Sequence, residues 1–194
     1  MRERIANLTS NILNPFLIGL ILIVLASFEA TTTVFDTIKW SLILTALSVL
    51  PIFLFVVYLV RHDRLDSIFA NVREQRTKVY VLAIILAVVS CIILLSLKAP
   101  LMLLAAFVAS LSANAIFMLV NLYWKISVHT GFITAAVTLL FILYGLTSLA
   151  SVVLIPLVAW ARMELEHHSL AQVFAGALLA IVIVVAVFYL FGLI

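Results

Sequence analysis

The chain has 194 residues, of which 67% are hydrophobic and 10% charged, with 13 Phe and a mean hydropathy of +1.38. That balance excludes a soluble globular core and describes an all-α polytopic membrane protein. The net charge of +3 follows from how basic residues sort across the bilayer and carries no nucleic-acid signal, while the single cysteine, Cys91, excludes an intramolecular disulfide and a cysteine-based metal site.

Crossing a hydrocarbon core takes about 20 helical residues. In chain order the apolar runs predict spans near 13–34, 39–60, 79–97, 101–124, 129–147, 148–162 and 170–193. The first is too long, and too poor in a small-residue cleavage pattern, for a cleaved signal peptide. The sixth is short and contains Pro156, so spans five and six also read as a broken pair turning at Thr147, Ser148 and Ser151. Six to seven spans are therefore expected, forming one membrane domain over residues 1–194 without internal repeats or a Gly-rich phosphate loop.

Alternating sides from the N-terminus places Arg2, Arg4, Arg61, Arg64, Arg73, Arg76, Lys78, Lys125 and Arg162 on one face and only Lys39 and Lys98 on the other. The positive-inside rule puts the basic face, and with it the N-terminus, in the cytoplasm, with the cell membrane as the expected location. Trp40, Trp124 and Trp160 fall at predicted span ends, where amphipathic rings favour the interface. The loop 61–78, the junction 124–130 and the cluster 160–168 then emerge on one face. The plainer role for the arginines there is anchoring to anionic headgroups.

Ionisable groups at a membrane boundary are costly unless hydrated, paired or bound to a ligand, so they mark candidate sites. Between positions 162 and 168 lie Arg162, Glu164, Glu166, His167 and His168. On a helix, His168 and Gln172 share a face, so the amide can orient the imidazole. His167 would point about 100° away, toward solvent or headgroups. Glu164, four residues before His168, can compete for the same ring. At 125–131 the chain reads Lys125-Ile126-Ser127-Val128-His129-Thr130-Gly131. Two histidines and an arginine supply the parts of a covalent phosphoryl transfer: a nucleophile, an acid for the leaving oxygen, and a planar fork of donors for phosphate oxygens. Asn114 and Asn121, one heptad apart, are expected to hydrogen-bond between helices, and Ser110, Ser112 and Gly176 to serve packing.

The pattern Ser-x-His followed by Arg-x5-His-x3-Gln resembles the type 2 phosphatidic acid phosphatase (PAP2) superfamily over roughly residues 61–190. That family's signature combines Lys-x6-Arg-Pro, Pro-Ser-Gly-His and Ser-Arg-x5-His-x3-Asp. The resemblance implies that His168 is the nucleophile, His129 the general acid, and Ser127 and Arg162 phosphate ligands, with no cofactor or metal. Gln172 stands where the family has an aspartate, Val128 where it has glycine, Ile126 where it has proline and Ala161 where it has serine. The first motif has no standard counterpart; Arg73, Arg76 and Lys78, with Lys125, are the nearest basic residues by position. The implied substrate is a lipid phosphate or isoprenoid (di)phosphate held in the bilayer. Two other functions fit the composition. One is a relative that binds or transports anionic lipids without turnover. The other is a metal-dependent hydrolase using His129, His168 and Glu164. Oligomeric state is not legible.

Overall fold

The computed structural model describes all 194 residues and is 80% helical, with no strand. In chain order the helices are α1 (Arg2–Ile12), α2 (Pro15–Ala30), α3 (Val34–Leu47), α4 (Val49–Arg61), α5 (Arg76–Ser96), α6 (Leu101–Tyr123), α7 (Val128–Tyr144), α8 (Leu154–Glu164) and α9 (Leu170–Leu190). A 3₁₀ segment, Gly145–Val153, joins α7 to α8.

Five helical runs are long and apolar enough to cross a membrane: Val34–Arg61, Arg76–Ser96, Leu101–Tyr123, Val128–Glu164 and Leu170–Leu190. They become six if α1 and α2, bent by 41° at their junction, count as one. Six to seven spans were expected and five to six are found by length and composition, and the difference arises in two places. Near the N-terminus the apolar run 13–34 yields only the 16 residues of α2, because Pro15 opens a new helix there. Farther on, 129–147 and 148–162 lie in one continuous helical run of 37 residues, which matches the broken pair also expected there. That run is not straight, since α7 packs back along α8. Gly145 sits at φ +58° and ψ −138°, a conformation open almost only to glycine, and reverses the chain. Thr147, Ser148 and Ser151 donate to the carbonyls of Tyr144, Gly145 and Ser148, which satisfies backbone groups through the turn. α8 alone, at 11 residues, is too short to span.

The chain divides into two compact units, one of Met1–Leu22 with Lys125–Ile194 and one of Ile23–Trp124. In the first, α7 packs on α9 and α8, and α1 lies on α8. The inner face of α9 carries Val173, Gly176, Ala180, Ile183, Val184, Val187 and Phe188, a helical stripe of small and large residues. Gly176 is required there: a Cβ would sit 2.7 Å from the Ser127 carbonyl oxygen. α1 buries Ala6 and Ser10 and exposes Ile5, Leu8 and Ile12.

In the second unit α5 packs on α6, α4 and α3, burying Arg76, Tyr80, Ala83, Ala87, Ser90 and Leu94 at helical spacing. Trp40 is buried within α3, at 6% exposure. Asn121 donates to the Arg73 carbonyl, whereas Asn114 bonds back to Ser110 on its own helix, so only Asn121 links separate elements.

Candidate phosphate site

Three segments meet at one end of the first unit because α7 turns back along α8 and a short linker then starts α9. Ser127 caps α7: its Oγ accepts from the Thr130 backbone N–H at 3.4 Å and lies 2.9 Å from Thr130 Oγ1. Ser127 also donates its own N–H to the Gln172 carbonyl at 3.3 Å, the approach that Gly176 permits. The start of α7 is thereby stitched to the start of α9. Both helix N-termini lie at this end, where the helix dipole favours negative charge.

Arg162 lies in the last turn of α8, 1% exposed, and donates from Nη1 to Ser10 Oγ at 3.0 Å. The helix stops at Glu164, and Glu166 adopts φ +56°. The chain then doubles back, so that the N–H groups of His167 and His168 both donate to the Arg162 carbonyl, at 3.1 and 3.2 Å. His167 and His168 therefore lie outside any helix, contrary to the helical geometry expected for them. Glu164 does not meet His168; it pairs with Arg2 at 3.3 Å. Together with Glu3, Asn7, Leu165, Glu166 and His167 it lines a depression of about 510 Å³. Its acidic lining makes it a poor receptor for phosphate.

His168 is 7% exposed, and its Nδ1 lies 3.0 Å from Gln172 Oε1. The same amide oxygen accepts from the Ser169 N–H at 3.3 Å, while Ser169 Oγ accepts from the Gln172 N–H, forming a capping box. A backbone N–H can only donate, which identifies the amide atom facing His168 as oxygen. A neutral His168 is therefore held with its proton on Nδ1 and its lone pair on Nε2. His129, in the first turn of α7, is 4% exposed. Lys125 is half-buried just before the cap. Ser127, His129, Arg162, His168 and Gln172 are thus gathered at one end of one unit.

Arg73, Arg76 and Lys78 belong to the second unit. Arg73 bonds Glu74 at 3.0 Å and the Leu122 carbonyl at 3.1 Å, and Arg76 Nε donates to the Ala70 carbonyl at 2.6 Å. Lys78 is exposed. Between α4 and α5, Asp66 organises the turn by accepting from Ser67 Oγ and from the N–H groups of Asn71 and Val72. Partial burial pushes its carboxyl upward, but the bonds from Val72, Ser67 and Asn71 outweigh that and hold it below the usual carboxylate range.

No group of three or more His, Cys, Asp or Glu side chains is gathered to hold a metal ion, so His129, His168 and Glu164 do not form the set that a metal-dependent hydrolase would need. Sequence reasoning passed over Ser10, Thr130 and Ser169. The last two were findable, since Ser127-x-x-Thr130 and Ser169-x-x-Gln172 are spaced as helix caps. Ser10, 152 residues from its partner, carried no local signal. No protein-family model matches the chain, and neither curated proteins nor solved structures give a match.

Proposed function

We propose that the chain is a membrane phosphatase of the PAP2 type, hydrolysing a lipid phosphate or isoprenoid diphosphate. The observation that carries this is the gathering of buried Arg162, His129 and His168 at one end of the first unit, with His168 oriented by Gln172. Burying a cation and two imidazoles is costly in an apolar chain unless the site has work for them. His168 Nε2 attacks phosphorus, and the bond to the leaving oxygen breaks as His129 delivers its proton. Water, deprotonated by His129, then attacks the phosphohistidine, releasing inorganic phosphate and restoring the ring. Arg162 and the two helix N-termini hold the equatorial oxygens throughout, and Lys125 adds charge at the same end. The site is proposed to face the cytoplasm from the cell membrane, with the lipid tail entering between helices.

A second function, binding anionic lipid without turnover, is favoured by one feature. Gln172 is neutral and shares its oxygen with Ser169, so it orients the ring but does not stabilise an imidazolium as a carboxylate would. Reconstituted protein assayed on a panel of lipid phosphates separates the two. A phosphatase loses phosphate release by about a thousandfold or more in His168→Ala, loses a hundredfold or more in His129→Ala, by order of magnitude, and ignores chelators. Gln172→Glu should raise turnover. Wild-type rates in either histidine variant would refute the enzyme. Lipid binding with no release, even in Gln172→Glu, would establish the binding protein.

A further inference from the structure

Arg162 and Ser10 are 1% and 2% exposed, and Nη1 of the arginine donates to the serine Oγ at 3.0 Å. Nothing in the two-histidine pattern reaches back to the N-terminus, so no motif accounts for Ser10. Its neighbours show how it is held. Arg2, Ala6 and Ser10 recur at four-residue spacing and line one face of α1. Arg2 pairs with Glu164, Ala6 is fully buried, and Ser10 meets Arg162, so this face is fastened to the end of α8 at two points.

The chemistry of the contact is selective. A guanidinium presents five N–H donors in a rigid plane, and the rotation of that plane decides which pair faces an anion. An acceptor on one donor fixes the rotation. A carboxylate there would also neutralise the cation and compete with phosphate. A hydroxyl accepts the bond while carrying no charge, so it orients the fork without neutralising it.

We infer that Ser10 is a positioning residue for Arg162 and that the N-terminal helix is part of the phosphate-binding end of the protein. This rests on Arg162 binding a phosphoryl group as proposed. Neither the spacing of the histidines nor the resemblance to a phosphatase family assigns any role to residues 2–12.

The test uses the full chain in detergent micelles, following its thermal midpoint while titrating inorganic phosphate in one arm and micelle-borne phosphatidate in the other. A response in either arm identifies the source of the phosphate group. Ser10→Ala should weaken the phosphate dissociation constant by about tenfold, the effect of losing one hydrogen bond to a charged group. Ser10→Thr, which keeps the hydroxyl, should stay near wild type, whereas Ser10→Val, of the same shape as threonine, should match alanine. The threonine–valine pair decides the matter if the alanine variant does not fold. Equal affinities for the threonine and valine variants, with wild type responding, would overturn the role of Ser10 and leave the phosphate site standing. A wild-type protein that responds in neither arm would overturn both.

Discussion

Arg162 in the first unit and Arg76 in the second are both buried, at 1% and 5% exposure, and each has a hydrogen bond to a different kind of acceptor. Arg76 donates to the carbonyl of Ala70, a residue at φ +44°, in a segment already closed by Asp66 and Gln75. That carbonyl cannot turn away without opening the loop. Arg162 donates to a serine hydroxyl, at a helix end that also carries two buried imidazoles and two helix N-termini. A hydroxyl can rotate, and side chains can exchange one oxygen for another. Burial of a cation therefore does not by itself identify a binding site. What separates a site from a structural clamp is whether the partners can yield to a ligand.

The largest effect should come from exchanging the two arginines for lysine. Arg162→Lys keeps the charge but loses the fork, and should lower phosphate turnover by roughly a hundredfold with a small change in thermal midpoint. Arg76→Lys should do the reverse, costing about 1–3 kcal/mol of stability while leaving turnover per folded molecule unchanged. Equal losses of turnover in both would erase the distinction.

Next in size is Gly176→Ala, which places a Cβ 2.7 Å from the Ser127 carbonyl and must push the start of α7 off α9. The expected cost is about 1–3 kcal/mol, read from denaturation in mixed detergent, with lower turnover because Ser127 and His129 move together. An unchanged variant would show that the two helix starts are not tightly stitched.

The smallest effect lies in the second unit. Asp66 has its carboxyl held below the usual range, so its contribution is fully present above the unfolded value and is lost as pH falls through the folded one. Asp66→Asn should therefore lower the thermal midpoint slightly at neutral pH, and the gap to wild type should close in acid. A gap that is constant with pH would mean that the carboxylate does not hold the loop.

Much of this was legible in the chain because it depends on local patterns. Apolar runs of about 20 residues read directly as membrane-length helices, and the polar turn at Thr147, Ser148 and Ser151 marked the place where α7 turns back. The contact between His168 and Gln172 was also anticipated, although by helical spacing rather than by the capping box that in fact forms it. Of the six to seven spans expected, the seventh is not found because hydropathy registers length and composition, not that Pro15 restarts the first apolar run as a helix of only 16 residues. The helical placement of His167 and His168 failed for a related reason: Glu166 turns to positive φ, and no periodicity reports that.

The sequence by itself determined an all-helical chain with helices long and apolar enough to cross a membrane, and singled out the residues proposed to handle a phosphate group, since both follow from side-chain chemistry and spacing. Only the tertiary structure decided which of those residues share a place. It put Ser127, His129, Arg162, His168 and Gln172 at one end of one unit and added Ser10 from the far end of the chain. The reason is physical. A reversal at one glycine and a close approach at another bring distant segments together, and neither leaves a periodic trace in the residues it joins.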